Sequence, residues 1–349
     1  MYKKIEISKY ELIPKHTENS KINATLVGLL LRVHFENDLI GYSSLQPWPS
    51  LGDFTLDEYL EFIKNKKMKG SLGPAVYLAK KDAIARQKKI SLWNENILKF
   101  LPKNHKNVSN IFYENFEELY ENNFEWIKIK LGLDIEKEIK FLIDSKHRIQ
   151  NFKLRLDFNF SVPLDHEILL KIFDLNQYFQ IDFFEDLILF PKIATDDLLE
   201  PRTKKNKWEE SGKIIFPQEK LAIDFQKNKT DLKKYGVIVV KPVMELLPKI
   251  KNLSKHNHHR RIFTSAMDHP VGQMLGLYEA SFFYSEFPNL QETCGFLTHL
   301  NFQKNQYSEY LQVKNTKLLP VSGTGIGFDE LLKNEKWENL EFTEGNAEK

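Results

Sequence analysis

The sequence contains one cysteine, Cys294, in 349 residues. It therefore offers no disulfide within the chain and no cysteine cluster for a structural zinc ion. Long apolar runs are also missing, since stretches such as 24–33 and 236–240 fall far short of the roughly 20 residues that cross a bilayer. The amino-terminal stretch has no apolar region typical of a secretory signal peptide. These absences predict a cytoplasmic protein with no membrane partner.

Excess charge of either sign is missing too. Lysine and arginine number 50, aspartate and glutamate 48, so the formal net charge is +2. Such a balance does not indicate a nucleic-acid partner. Hydrophobic residues make up 42% and charged residues 28%, which excludes a disordered chain, a collagen-like repeat or a coiled-coil rod. The length fits a barrel of about 250 residues with an additional domain. We expect a monomer or a small homo-oligomer.

The periodicity divides the chain into an α+β unit and a β/α unit. Residues 1–107 contain strand patterns followed by two helical patterns, the second of which opens with Pro74. Residues 108–320 alternate short β-rich runs with helical stretches; the runs are 126–131, 153–158, 181–186, 221–225, 236–241 and 261–266. Strands that alternate with helices predict a parallel sheet, and six or more such units in about 200 residues favour a closed (β/α) barrel. A polar insertion at 192–217 interrupts this pattern.

Charged residues recur at the carboxyl ends of the predicted barrel strands. They are, in chain order, Lys128 and Lys130, Asp157, Glu185, Asp224, and Lys241. In a β/α barrel all these ends open into one mouth, and residues i and i+2 of a strand share a face. Each residue by itself is typical of a solvated strand end: Asp157 could merely cap a helix, and Lys241 could be an ordinary loop residue. The ordered set is what predicts a site.

The residue types of this set suit a metal-assisted proton abstraction. Three carboxylates offer hard oxygen ligands of the kind that Mg²⁺ prefers, with Mn²⁺ as a possible substitute. Such a cation stabilises the charge that forms when a proton leaves a carbon next to a carboxylate. A lysine desolvated near other cations has a lowered pKa, as a general base needs at neutral pH. A small-molecule carboxylate is therefore the predicted substrate.

The same segments resemble a known family. The runs WIKIKLG, LRLDFN, FFED, LAID and VVKP resemble the enolase superfamily, muconate-lactonising subgroup, and within it the o-succinylbenzoate synthases. The run GYSSLQPWPSLGD resembles a substrate-covering loop, TSAMDHPVGQMLGL a segment at the last barrel strands, and PVSGTGIGF a glycine-rich return. The resemblance implies a modified, enolase-type (β/α) TIM-like barrel, preceded by an α+β capping domain and followed by a segment, 321–349, that returns to the cap.

The resemblance also implies roles for individual residues. Lys130 would be the acid/base lysine, Lys128 would assist it, and Lys241 would stabilise the enolate from across the site. The metal ligands would be Asp157, Glu185 and Asp224. Arg155 and Asn159 match polar residues found around the Asp157 ligand and are predicted to bind the substrate. Ser265, at the end of its run, and Gly323 are candidates to contact a substrate carboxylate, although the glycine-rich run could equally be a backbone turn near the mouth. The implied reaction is loss of water from a succinyl-hydroxycyclohexadiene carboxylate, through a metal-stabilised enediolate, to give o-succinylbenzoate for menaquinone biosynthesis.

Three alternatives stay open at this point. Asp186 follows Glu185 directly and is a rival metal ligand. An N-acylamino acid racemase or dipeptide epimerase of the same superfamily would use the same residues, because Lys130 and Lys241 provide a lysine on each face of the substrate. A non-catalytic binding protein on the same barrel is the third alternative, although all three carboxylates and all three lysines are present.

Overall fold

Three sheets organise the part of the chain that the computed structural model describes, which is residues 2–15, 24–163, 165–186, 220–223, 236–244 and 260–340. The first is a four-stranded sheet in the order β13-β1-β2-β3, and its strands are β1 (Tyr2–Leu12), β2 (Leu26–Phe35), β3 (Ile40–Leu45) and β13 (Glu338–Asn339). The helices α1 (Leu56–Lys64), α2 (Leu72–Gln87) and α3 (Glu95–Leu98) follow β3 in the chain.

The second sheet has seven strands in the order β10-β9-β8-β7-β6-β5-β4. Its strands are β4 (Lys106–Val108), β5 (Trp126–Lys130), β6 (Lys153–Asp157), β7 (Gln180–Glu185), β8 (Lys220–Ile223), β9 (Gly236–Val240) and β10 (Arg260–Phe263). Its helices are α4 (Phe116–Glu121), α5 (Ile135–Asp144), α6 (Lys146–Ile149), α7 (His166–Asp174) and α8 (Pro270–Glu286). A hairpin of β11 (Gln312–Lys314) and β12 (Lys317–Leu319) and a helix α9 (Asp329–Asn334) complete the described elements.

A short extended segment around Cys294 closes the seven-stranded sheet into a barrel. Thr264, just after β10, pairs in parallel with Gly295, and Asn104, just before β4, pairs in parallel with Cys294. Backbone amides bond across both seams, from Gly295 to the Phe263 carbonyl at 2.9 Å and from Cys294 to the Lys103 carbonyl at 2.8 Å. The first and last strands of the sheet are thus joined, and the barrel has no open edge here.

One strand runs against the expected direction. β4 to β7 pair in parallel, as do β9 and β10, but β8 is antiparallel to both of its neighbours. The expectation of a wholly parallel sheet is therefore wrong at this strand. The polar insertion 192–217 immediately precedes β8 and lies outside the described residues, as does the residue after the strand, Asp224.

Alternation along β2 explains how the antiparallel sheet is used on both faces. Leu29, Leu31 and Val33 pack with α1 and α2 in one apolar cluster, whereas Leu30 belongs to the cluster that contains the barrel core. Gly41 of β3 permits the close approach of α2, because a methyl group there would lie 1.9 Å from the Ala79 carbonyl oxygen. Among the described helices none is long and apolar enough to cross a membrane.

A buried carboxylate ties the carboxyl-terminal segment to α2. Asp82 is fully buried and accepts hydrogen bonds from the Tyr42 amide at 2.9 Å, the Ile326 amide at 2.7 Å and Arg86 Nε at 2.7 Å. Arg86 in turn donates to Asp329 at 2.6 Å. One side chain therefore connects β3, α2 and the glycine-rich run 323–327, and β13 then adds to the edge of the antiparallel sheet through Glu6 and Asn339.

We expect Asp82→Ala to lower the free energy of unfolding by about 3–5 kcal/mol, because it leaves Arg86 without its buried partner and two buried amides without an acceptor. Urea denaturation measures this change. The exposed Glu61→Ala is the control and should change stability by less than about 0.5 kcal/mol. Equal stability of the two variants would show that Asp82 does not anchor the segment.

Candidate active site

Three charged residues form one row across neighbouring strands at the carboxyl ends of the barrel. Lys130 lies beside Asp157 in the pairing of β5 with β6, and Asp157 lies beside Glu185 in the pairing of β6 with β7. Because each residue is the last of its strand, their side chains are brought to the same mouth. The two carboxylates are buried, at 2% and 1% exposure, and Lys130 is half-buried.

Asp186 joins the two carboxylates of this row. Ligand atoms of Asp157, Glu185 and Asp186 all lie within 4.8 Å of one another, and all three residues are buried. A left-handed turn at Asp186, with φ of 50°, ends β7, and its carbonyl accepts a hydrogen bond from the Phe160 amide at 2.6 Å. Three crowded oxygen donors fit a hard divalent cation, and the structure thus brings together two predicted ligands and the rival Asp186.

Two groups hold the Asp157 carboxylate from below and beside. The backbone N–H of Asn159 donates to Asp157 Oδ1 at 3.1 Å. Lys128 Nζ lies 3.0 Å from Asp157 Oδ2 and 2.8 Å from Glu185 Oε2, so one ammonium group contacts both carboxylates. The backbone of Asn159 and the side chain of Lys128 therefore contact the carboxylates of the row, and the substrate-binding role of Asn159 stays a prediction.

The third predicted ligand, Asp224, lies outside the described residues, and its role stays a prediction. The described strand before it ends with Ile223 beside Gly236, at the amino end of β9. Lys241 follows the carboxyl end of β9 and is half-buried, so Ile223 and Lys241 lie at opposite ends of that strand. The assignment of Asp224 to the metal rests on the sequence alone.

Arg155, predicted to bind the substrate, is fully buried among protein groups, and its substrate-binding role stays a prediction. Its side chain is 0% exposed and lies between the rings of Trp126 and Phe183. The guanidinium donates to Asp182 at 3.0 Å and to the Thr293 carbonyl at 2.7 Å. Arg155 shares the interior face with Asp157, as predicted, but it is two residues further into the barrel, where protein groups rather than solvent surround it.

Backbone amides of the glycine-rich run 323–327 also donate hydrogen bonds to protein groups. Four of its amides bond internally: Thr324 to Asp329, Gly325 to the Ile90 carbonyl, Ile326 to Asp82, and Gly327 to the Thr324 carbonyl. The run therefore lies against α2 and the segment after it, and the contact of Gly323 with a substrate carboxylate stays a prediction. Ser265 lies just beyond β10 and is buried, with its hydroxyl paired to that of Thr298.

Asp268 is a buried acid at the mouth that the sequence analysis did not select. Its Oδ1 accepts from the Ala266 amide at 3.1 Å, and its Oδ2 has no hydrogen-bond partner among the described residues. Burial raises the pKa of Asp268 to about 7, against the opposing effect of the Lys241 charge. A single acid in the loop just after a barrel strand was the available signal.

The loop that was predicted to cover the substrate does contact the mouth. Trp48 is buried, and its Nε1 donates to the Ala266 carbonyl, in the loop after β10, at 2.8 Å. Gly272, at the start of α8, permits the close approach of Ser44 on β3 and of Asp268. A methyl group at Gly272 would lie 2.1 Å from Ser44 Oγ and 2.2 Å from Asp268 Oδ2. The antiparallel sheet thus packs directly against the loop that carries Asp268.

Known proteins resemble this chain in sequence and in fold. The family described as "O-succinylbenzoate synthase, N-terminal domain" matches residues 5–85. An o-succinylbenzoate synthase of Bdellovibrio bacteriovorus is 28% identical over 352 residues, which covers 97% of this chain and 98% of the relative. The chain resembles an o-succinylbenzoate synthase. The resemblance predicted from the sequence is confirmed, and so is the prediction that the chain is an enzyme.

Solved structures show the fold. The L-Ala-D/L-Glu epimerase from Bacillus subtilis superposes with a TM-score of 0.61 at 15% identity, over 93% of this chain and 97% of the epimerase. The muconate lactonizing enzyme from Pseudomonas putida has a TM-score of 0.61 at 11% identity, over 96% and 100%. A dipeptide epimerase from Methylococcus capsulatus, solved in complex with Mg, has a TM-score of 0.60 at 13% identity, over 93% and 98%. The predicted enolase-type barrel with a capping domain is confirmed.

We expect Asp186→Asn to weaken binding of Mn²⁺ by at least about tenfold, because it removes one of three crowded oxygen donors. Isothermal titration measures the affinity, with the exposed Asp144→Asn as control. Asp224→Asn is the informative companion variant. An unchanged affinity in Asp186→Asn beside a lost affinity in Asp224→Asn would exclude Asp186 as a ligand and favour the sequence-based assignment.

The raised pKa of Asp268 has a consequence for stability against pH. The unfolded carboxyl ionises near its ordinary value of 3.8 and the folded one near 7, so the folded state loses stability as pH rises between these values. At one pKa unit per about 1.4 kcal/mol, the loss is of the order of 4 kcal/mol. Asp268→Asn should remove it.

Thermal unfolding of wild type and Asp268→Asn at several values between pH 4 and 8 measures this difference. The variant should gain stability relative to wild type as pH rises, whereas the exposed Asp57→Asn should show no such trend. A constant difference between wild type and Asp268→Asn across the range would contradict the assignment.

Proposed function

We propose that the protein is a Mg²⁺-dependent dehydratase, a carbon–oxygen lyase that converts a succinyl-hydroxycyclohexadiene carboxylate to o-succinylbenzoate. The observation that supports this best is the row of Lys130, Asp157 and Glu185 at paired positions of neighbouring strands. In this row a lysine lies beside buried carboxylates. Trp48, in the loop after β3, contacts the same mouth through the Ala266 carbonyl. The full-length similarity to a synthase favours this reaction over others of the same fold.

The carboxylates of Asp157 and Glu185, with Asp186 or Asp224 as the third, would hold the cation. When bound there, Mg²⁺ supplies positive charge that lowers the free energy of a carboxylate carrying a second negative charge. Hard oxygen donors suit this ion better than a softer metal. Lys128 contacts the ligand carboxylates from inside the barrel and fixes their positions.

Lys130 is the proposed acid and base. Its amine accepts the proton from the carbon next to the substrate carboxylate, and the same proton then goes to the hydroxyl group on the neighbouring carbon. That hydroxyl leaves as water, its C–O bonding pair departing with the oxygen, while the pair from the broken C–H bond completes the aromatic ring. Lys241, at the end of β9, would stabilise the negative charge of the enolate from the opposite side of the site.

A racemase or epimerase acting on acylated amino acids or dipeptides is the second candidate. Lys130 is the last residue of β5 and Lys241 follows β9, so the two lysines come from different strands. This arrangement suits proton transfer on two faces of one carbon. The superposition with two epimerases supports the fold that such an enzyme needs. The synthase remains the better-supported proposal, because the relative that shares the larger fraction of identical residues is a synthase.

We expect Lys130→Ala to lower kcat for formation of the aromatic product by about 10³-fold, because it removes the acid/base group. KM should change much less, and the exposed Lys140→Ala on α5 should retain activity. Ultraviolet absorbance of the product follows the reaction. Undiminished turnover by Lys130→Ala would refute the assignment.

Removal of divalent metal with EDTA should abolish turnover, and added Mg²⁺ or Mn²⁺ should restore it. The same preparation, given an N-succinyl amino acid or a dipeptide, tests the second candidate by polarimetry. Racemisation without formation of o-succinylbenzoate would favour the epimerase.

A further inference from the structure

Lys128 lies inside the barrel, one step below the row at the mouth. It precedes Lys130 by two residues on β5 and therefore shares its face, and it pairs with Asn107 on one side and with Arg155 on the other. Its side chain is buried, at 8% exposure. A lysine so far from solvent is rare unless it is paired with an acid.

The partners of Lys128 are two proposed metal ligands. Its ammonium group lies 3.0 Å from Asp157 Oδ2 and 2.8 Å from Glu185 Oε2, within the cluster whose third member is Asp186. Three carboxylates this close repel one another strongly, because low-dielectric surroundings screen charge poorly. A single positive charge in contact with two of them offsets part of that repulsion.

The neighbour of Lys128 on β6 is a second cation. Arg155 is the neighbour of Lys128 in the pairing of β5 with β6, and its guanidinium lies against His105 Nδ1 at 2.9 Å. His105 stays neutral, since burial and the charges of Arg155 and Lys128 lower its pKa well below the ordinary value. A cation beside Lys128 and carboxylates at the mouth therefore favour contact of the Lys128 ammonium with the carboxylates.

We propose that Lys128 is a built-in counter-ion that keeps Asp157 and Glu185 in place before the metal arrives, and that it opposes binding of the metal to the same oxygens. The inference rests on the proposed function only in that Asp157 and Glu185 bind a divalent cation. The ammonium group and the cation are attracted by the same carboxylates and repel each other. By linkage, each weakens the binding of the other.

The test is Lys128→Met, which keeps the apolar length of the side chain and removes its charge. Without metal, the variant should unfold at a lower temperature than wild type, because the carboxylates repel one another without compensation. With Mn²⁺, it should bind about tenfold more tightly than wild type, as read from the free Mn²⁺ signal in electron paramagnetic resonance. A purely structural role for Lys128 would leave the affinity unchanged or weaken it.

Lys153→Met is the charge-matched control, because Lys153 is exposed at the other end of β6 and lies over Trp126. It should leave the affinity for Mn²⁺ unchanged. Lys128→Gln serves as the second neutral variant if Lys128→Met does not fold, and it should show the same tighter binding. Folding of either variant only in the presence of Mn²⁺ would also support the proposal.

Two results separate this inference from the proposed function. Unchanged or weaker binding of Mn²⁺ by the neutral variants, beside normal binding by wild type, overturns the counter-ion role alone. Absence of Mn²⁺ binding by wild type, at the level of Asp157→Asn, overturns the metal-dependent function and the competition together.

Discussion

The crowding of buried negative charge at one end of the barrel is the constraint on which the site depends. Asp157, Glu185 and Asp186 place carboxylate oxygens within 4.8 Å of one another, away from solvent. Such a cluster is stable only when positive charge compensates it, and the parallel pairing of β5, β6 and β7 delivers that charge from the next strand as lysine. The features that make the site hard to fold are therefore the ones that make it able to bind a cation.

Positively and negatively charged side chains also alternate deeper in the barrel, away from the mouth. Below the carboxylates lie Lys128 and Arg155, then Asp182, which binds Arg155 at 3.0 Å and Arg260 at 2.8 Å. Arg260 contacts Glu292 at 2.7 Å, close to the segment that closes the barrel. Each charge in the series has an opposite charge beside it, as buried ions require. Ion pairs thus lead from the closing segment to Arg155, which lies beside Lys128 in the strand register.

Much of the site was predictable because strand ends in β/α barrels have a fixed meaning. Lys128, Lys130, Asp157 and Glu185 follow from the positions of charges in three β-rich runs, and the structure brings them together. The depth of Arg155 was not predictable, because the period of two in a strand gives the face but not the depth along the barrel axis. The amide contacts of the glycine-rich run were not predictable either, because such a run looks the same whether its amides meet a substrate or, as for Ile326 and Thr324 here, Asp82 and Asp329.

The sequence by itself determined the class of protein, because strands that alternate with helices, and the order of lysines and acids along those strands, predict a (β/α) barrel enzyme. Only the tertiary structure decided which acids meet. Asp186 enters the cluster through a left-handed turn, and Asp268 becomes a buried acid through the packing of the Trp48 loop. The physical reason is that a carboxylate's chemistry is set by the charges and solvent around it, and most of those neighbours come from distant parts of the chain.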